Sequence, residues 1–322
     1  MKAIRIQQFG GPDVLQYEDV PDPAPRPGEA LIRTEAAGVN FIDTYQRSGA
    51  YQIPLPCILG QEGAGTVSAV GTGVTTVKVG DKVAWTGILG SYAEQHSVAA
   101  DRLVTLPAGV TTKQGAAIML QGMTAHYLAT STYPLKSGDT CLVHAGAGGA
   151  GLLLTQIAKL RGARVITTVS TDEKAQLSRD AGADEVILYT KQDFEEGVKQ
   201  LTGGKGVQVV YDSVGQTTFS KSMNCLVPRG MLVLFGQSSG AVPPFDPQLL
   251  SQKGSLFLTR PTLVNYIASR ADLEQRAADL FGWITAGKLK LRSEFEFPLK
   301  DAQAAHRALE GRQTTGKVLL IP

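Results

Sequence analysis

The sequence predicts a two-part α/β protein, a doubly wound parallel sheet joined to an antiparallel β module, and three observations carry that expectation. A glycine-rich turn, Gly146-Ala-Gly-Gly-Ala-Gly151, sits between an apolar run and an amphipathic one. From about Met123 to Pro261, strand-like and helix-like segments alternate. Up to about Gly122, short alternating runs are broken by clusters such as Pro21-Asp-Pro-Ala-Pro-Arg-Pro-Gly28. Strands alternating with helices build a parallel sheet, whereas short strands between turn residues pair antiparallel.

In chain order, the first module should hold strands at Met1–Ile6, Ala30–Glu35, Gly65–Val70 and Asp81–Trp85. Cys141–His144 reads as a short buried strand, Leu152–Arg161 as a helix closed by Gly162, and Ala163–Val169 as a β-branched strand that completes βαβ. Further strands are expected at Glu185–Leu188, Val207–Tyr211, Met231–Phe235 and Ser255–Thr259. The glycine-rich stretch Leu201–Gly206 lacks Walker spacing and reads as a helix-to-strand turn. Helices at Asp272–Ala286 and Leu299–Glu310 stop at Gly287 and Gly311, and the apolar strand Lys317–Ile321 closes the chain. That last segment should return to the first module. The resulting division is a substrate domain of residues 1–122 and 262–322 and a nucleotide domain of residues 123–261, with the ligand expected in the cleft between them.

The spacing of Gly146, Gly148 and Gly151 is G-x-G-x-x-G, placed after a strand and before a helix as in a Rossmann sheet. The glycines are expected to supply backbone angles that a Cβ resists and to let a pyrophosphate approach backbone N–H groups at the helix N-terminus, which makes Gly146, Gly148, Gly149, Ala150 and Gly151 candidate cofactor-binding residues. The second strand should choose the dinucleotide. Where NAD-specific folds carry an acid for the ribose, this chain has Ser170, followed by Lys174, a pair suited to a 2′-phosphate. NADPH is therefore expected over NADH. Asp172 and Glu173 keep open the alternative that Ser170 caps the next helix and Lys174 is a solvated surface charge.

Composition excludes several classes. The net charge is +2 with no basic, aromatic-interleaved block, so nucleic acid is not an expected partner. No apolar run reaches membrane-spanning length, and Met1–Ile6 alternates rather than forming a signal-peptide core. Cys57, Cys141 and Cys225 lie far apart with no C-x-x-C pair, which favours a reducing cytoplasm over a disulfide framework or a zinc ribbon. His144 precedes the glycine turn but reads as a satisfied core group, and His96, His126 and His306 show no metal-like spacing.

Several segments together resemble the medium-chain dehydrogenase/reductase superfamily over the whole chain: Gly10–Leu15, Ala37–Tyr45, Leu59–Gly65, the glycine turn, Val210–Gly215 and Leu299–Ala302. Asn40-Phe-Ile-Asp-Thr-Tyr45, Arg47–Tyr51 and Phe235–Gly240 look like its quinone oxidoreductase, zeta-crystallin-like subfamily. The resemblance implies a GroES-like β domain beside the Rossmann domain, and a homodimer. It also implies loss of the family's catalytic zinc, since Asn40 stands where the first cysteine ligand would be and Gln61 where the histidine would be, with Glu62 retained. Amides are poor Zn²⁺ ligands beside thiolate or imidazole. Trp85–Tyr92 is a cysteine-free connection where a structural zinc lobe would sit.

Without a Lewis acid, alcohol oxidation lacks support, whereas a quinone or conjugated enone accepts reducing equivalents into an extended π-system. The implied activity is NADPH-dependent reduction of small quinones. An enone or 2-alkenal reductase is the alternative, with a non-enzymatic structural or RNA-binding role the rival of another class. Asn40, Asp43, Tyr45, Tyr51 and Gln61 are the candidate polar groups around the acceptor, and a tyrosine or solvent could supply the proton. By resemblance, Ser170, Lys174 and Tyr189 contact the 2′-phosphate. Thr124, Tyr127, Val214, Phe235, Gly236, Ser238, Ser239 and Arg260 fall near the nicotinamide, ribose or backbone contacts.

Overall fold

Residues Thr124–Asn265 form one compact unit, and Met1–Met123 with Tyr266–Pro322 form another, in a computed structural model that describes all 322 residues. The first of these is built on six parallel strands. Their spatial order is Glu185–Leu188, Arg164–Val169, Thr140–Val143, Val207–Asp212, Leu226–Leu234 and Phe257–Thr259. Chain order runs outward in one direction from Thr140–Val143 and then in the other from Val207–Asp212. The reversal between these two neighbours is the switch point at which doubly wound sheets bind ligands. Leu142, Ile166, Val210 and Leu232 are fully buried along the central strands, which explains their continuous apolar runs.

The other unit is mainly antiparallel. Its larger sheet runs Phe295–Pro298, Val318–Ile321, Glu29–Val39, Glu62–Val70, Lys82–Thr86 and Val104–Thr105, with Gln95–Ala99 also pairing with Glu29–Val39. A smaller sheet joins Gln16–Asp19, Lys2–Ile6 and Cys57–Ile58. The C-terminal strand lies in the sheet of the N-terminal module, with Val318 opposite Val39 and Leu319 opposite Gly38. The register places Lys317 beside the end of Glu29–Val39, where the short helix Phe41–Ser48 begins.

Element boundaries differ from the sequence expectation in instructive places. The helix after the glycine turn spans Gly149–Leu160 and so starts inside the glycine motif. The strand expected at Met231–Phe235 reaches back to Leu226, and the segment from Leu299 divides into a 3₁₀ turn at Leu299–Asp301 and a helix at Ala302–Glu310. The turn ahead of Val207 does use left-handed glycines, with φ of 59°, 80° and 87° at Gly203, Gly204 and Gly206.

Candidate functional site

The nucleotide end of the Thr124–Asn265 unit is made by loops at the carboxyl ends of its strands. Gly148, with extended φ of −75° and ψ of 166°, caps the helix Gly149–Leu160, leaving the first-turn N–H groups without helical acceptors. One expectation is corrected here. The left-handed residue of the turn is Ala145 at φ 54°, and none of Gly146, Gly148 or Gly151 takes positive φ. Space is what requires them: a Cβ on Gly146 would lie 2.6 Å from the Thr167 Cβ, and one on Gly151 would collide with the Ala145 carbonyl oxygen. A Cβ on Gly148 would meet only that carbonyl, at 3.3 Å, so its open side suits a phosphate. The turn therefore fits a dinucleotide through close packing on one side and exposed donors on the other.

At the neighbouring strand ends, Ser170 and Lys174 follow Arg164–Val169, and Tyr189 follows Glu185–Leu188. The Tyr189 N–H donates to the Val169 carbonyl at 3.1 Å, and Thr190 Oγ1 to the Ser170 carbonyl at 2.8 Å. The helix cap is Thr171, whose hydroxyl accepts from the Lys174 N–H at 3.2 Å, so Ser170 is not needed for capping. Asp172 is paired with Lys191 at 2.7 Å, which offsets the acid that would oppose a 2′-phosphate. Lys191 escaped the sequence reading because its relation to Asp172 comes from pairing of neighbouring strands.

The other side of the switch point is held by Asp212. Its carboxylate accepts from the N–H groups of Val214 and Gly215 at 2.8 and 3.0 Å and from the hydroxyls of Thr218 and Ser222. The Ser239 N–H and hydroxyl both donate to the Val214 carbonyl, and the Ser238 N–H donates to Ser213. The N–H groups of Phe235 and Gly236 both donate to the Asp212 carbonyl, and a Cβ on Gly236 would press within 2.9 Å of the Ser213 Cα. Arg260 donates to the carbonyls of Leu234 and Gly236, both at 3.0 Å, and so braces this loop. Thr124 is half-buried and Tyr127 is 2% exposed. His144 is a core group, bonded to Thr168 at 2.9 Å and Ser222 at 3.0 Å, with burial pushing its pKa down.

In the Met1–Met123 and Tyr266–Pro322 unit, Asn40, Asp43 and Gln61 are buried, and Tyr45 and Tyr51 half-buried. Asn40 caps the helix Phe41–Ser48, and its N–H donates to Asp43 Oδ2 at 2.8 Å. Its side-chain NH₂ donates to Glu62 Oε2 at 2.9 Å and to the Gly38 carbonyl at 3.3 Å. Both amide donors are thus spent inside the protein. The Tyr45 and Tyr51 rings meet edge to face at 5.3 Å between centroids, and the Tyr51 N–H donates to the Tyr45 carbonyl at 3.0 Å. Glu62 also accepts from the Leu120 N–H at 2.6 Å and from the Lys317 ammonium.

A buried polar chain leads away from Asp43. Tyr92 donates its hydroxyl to Asp43 Oδ2 at 2.9 Å and lies 3.2 Å from His306 Nε2. Arg47 donates to His306 Nδ1 at 2.9 Å, which leaves Nε2 as the protonated nitrogen, and pairs with Glu310 at 2.7 Å. Burial, opposed by the bonds from Asn40 and Tyr92, raises the Asp43 pKa to about 7, while burial and the Arg47 charge push His306 down to about 3. Asp43 Oδ1 has no hydrogen-bond partner. Sequence reasoning missed Tyr92, His306 and Lys317, whose partners are remote in the chain.

These residues do not suit zinc. An ammonium lies against Asn40 and Glu62, and no three His, Cys, Asp or Glu side chains come together.

Comparison with known proteins matches residues 26–108 to the alcohol dehydrogenase GroES-like domain family and residues 149–282 to the zinc-binding dehydrogenase family. The chain is 48% identical to a quinone oxidoreductase of Pseudomonas aeruginosa, over 100% of this chain and 99% of that one. It is 42% identical to a 2-haloacrylate reductase of a Burkholderia species, over 99% and 98%. Among solved structures, the Escherichia coli quinone oxidoreductase complexed with NADPH superposes with a TM-score of 0.98 at 46% identity, covering 100% of both chains.

Proposed function

We propose that this chain, which belongs to the quinone oxidoreductase family of the medium-chain dehydrogenases/reductases, passes reducing equivalents from NADPH to small quinones. The observation that carries the reading is the Lys317 ammonium on Asn40 Oδ1 and Glu62 Oε2: a fixed positive charge lies where, by resemblance, the family's metal would sit, which supports an acceptor that needs no Lewis acid. A quinone is such an acceptor.

When bound, NADPH would supply the reducing equivalents, and the protein's part is to bind, orient and protonate. Within Thr124–Asn265, the first-turn N–H groups of the helix Gly149–Leu160 would hold the pyrophosphate, and Ser170, Lys174 and Tyr189 would hold the 2′-phosphate, with Lys191 offsetting Asp172. Thr124, Tyr127, Val214, Phe235, Gly236, Ser238, Ser239 and Arg260 form or brace the nicotinamide end. In the other unit, Tyr45, Tyr51 and Gln61 face the acceptor, and Asn40 and Asp43 set their geometry. A tyrosine hydroxyl or water delivers the proton to the acceptor oxygen.

Phe257 lies on the open edge strand of the parallel sheet and is 57% exposed, which supports a homodimer formed along that edge. Phe257→Lys should then shift the protein from dimer to monomer in light scattering. The free cysteines, two of them buried, support a cytoplasmic setting.

The deciding assay is NADPH oxidation against a panel of quinones and conjugated enones, with NADH and zinc content measured on the same preparation. Quinone turnover with NADPH is expected. Enone turnover with negligible quinone activity would assign the chain to the 2-alkenal or enone reductases, and one equivalent of zinc would remove the premise.

A further inference from the structure

Lys317 is a lysine almost wholly removed from water, at 2% exposure, and its partner Glu62 is fully buried. Its ammonium donates to Glu62 Oε2 and, at 2.9 Å, to Asn40 Oδ1, while Asn40 Nδ2 donates to the same Glu62 oxygen at 2.9 Å. The three side chains close a ring of hydrogen bonds. Gly38 is fitted to it, since a Cβ there would lie 2.6 Å from Lys317 Nζ and collide with Glu62 as well.

Stability alone does not account for this arrangement. Taking two charges out of water costs as much as their attraction returns, and an apolar pair of the same volume often serves a fold as well or better. What only the ion pair provides is direction. With the ammonium on Oδ1, the Asn40 amide has one orientation, its NH₂ aimed at Glu62 and the Gly38 carbonyl. Asn40 in turn caps the helix whose first turns carry Asp43 and Tyr45.

We propose that Lys317 is a positioning residue for reduction: its ammonium neutralises Glu62, locks the Asn40 amide, and so fixes the helix start that presents Tyr45 to the acceptor. The proposal rests on the reading of Tyr45 as an acceptor-side group. It also assigns a use to the place left by the family's metal. A fixed monovalent charge, carried by the residue just before the last strand, takes over the anchoring of the Asn40 and Glu62 side chains.

Lys317→Met alone would strand a buried carboxylate and put folding at risk, so the informative variant is Lys317→Met with Glu62→Gln, which removes both charges. That double variant should melt within a few degrees of the parent and bind NADPH, followed by fluorescence, within about threefold. Its kcat with a quinone should fall at least tenfold while the quinone KM rises. Lys317→Arg, which keeps the charge, should recover part of the loss. Parent-like kcat and KM in the folded double variant would overturn the proposal. So would losses of melting temperature and NADPH binding in proportion to activity, which mark general damage. The Asn40 side-chain NH₂, read by NMR, should be protected from exchange in the parent and lose that protection in the double variant; an unprotected amide in the parent also overturns the proposal. This readout stands even if the parent reduces no quinone, an outcome that would sink the functional reading and leave the lock to be judged separately.

Discussion

The glycine turn after Thr140–Val143 and the polar cluster around Asn40 solve opposite problems. The turn offers backbone N–H groups and keeps side chains away, with Gly146 and Gly151 packed against Thr167 and Ala145 and Gly148 left open. The Asn40 cluster buries polar side chains: Glu62, Lys317 and Asp43 all lie at or below 2% exposure, with Lys317 on Glu62, the Asn40 amide bonded to both, and Asp43 Oδ2 held by the Asn40 N–H. Anion binding to helix-end donors needs only a close approach, so small residues suffice. Holding an acceptor in one orientation needs rigid, directional groups, and these must be supported by neighbours when water is excluded.

Breaking the turn should have the largest effect. Gly151→Val places bulk on the Ala145 carbonyl and should cost about 1–3 kcal/mol of stability and lower NADPH affinity ~100-fold or more. Calorimetry and fluorescence titration check this. Gly148→Ala sharpens the same point: it meets one atom at 3.3 Å, so it should fold normally and still weaken NADPH binding. A Gly148→Ala protein with unchanged NADPH affinity would show that the open side does not face the phosphates.

Removing Asn40 tests the other region. Asn40→Ala leaves the Lys317 and Glu62 groups short of a partner and should destabilise the fold by ~1–3 kcal/mol in chemical denaturation. Quinone turnover should fall while NADPH affinity holds. Lys174→Ala should be milder, lowering the preference for NADPH over NADH ~10-fold by loss of a charge-assisted bond. An unchanged preference would move the 2′-phosphate contact to Lys191 or Tyr189.

The smallest effect concerns pH. Asp43 has its pKa raised from 3.8 to about 7 in the fold, so the native state binds more protons than the unfolded chain across that window. Stability contributed by this group is therefore present at low pH and lost as pH rises through about 7. His306, lowered from 6.5 to about 3, acts in the opposite sense below pH 6.5, as does His96, lowered to about 4. Comparison with Asp43→Asn isolates the first group: the variant should gain on the parent in melting temperature between pH 5 and 8. A constant gap would mean that Asp43 does not titrate in the folded protein within that window.

The nucleotide end was legible because its parts are local. A strand, a glycine spacing and a helix follow one another directly between Thr140 and Leu160, and Ser170 and Lys174 follow one strand later. Even so, the reason for the glycines was misread, because crowding by Thr167, Ser178 and Ala145 depends on packing that spacing does not display. Around Asn40 the legible part was smaller. Asn40 and Gln61 stood out as replacements for metal ligands, but Asn40 as a free donor did not survive inspection of its bonds. Lys317 is 277 positions from Asn40, and His306 is 214 from Tyr92. At such separations no periodicity or motif links two polar residues.

By itself, the sequence determined the doubly wound sheet, the glycine turn and the absence of an acid at Ser170, since each follows from near-neighbour pattern and the short reach of backbone geometry. Only the tertiary structure decided that the C-terminal strand lies against Glu29–Val39 and brings a buried ammonium to Asn40 and Glu62. Burial turns a lysine from a solvated surface charge into a fixed one, and burial is a property of the assembled fold.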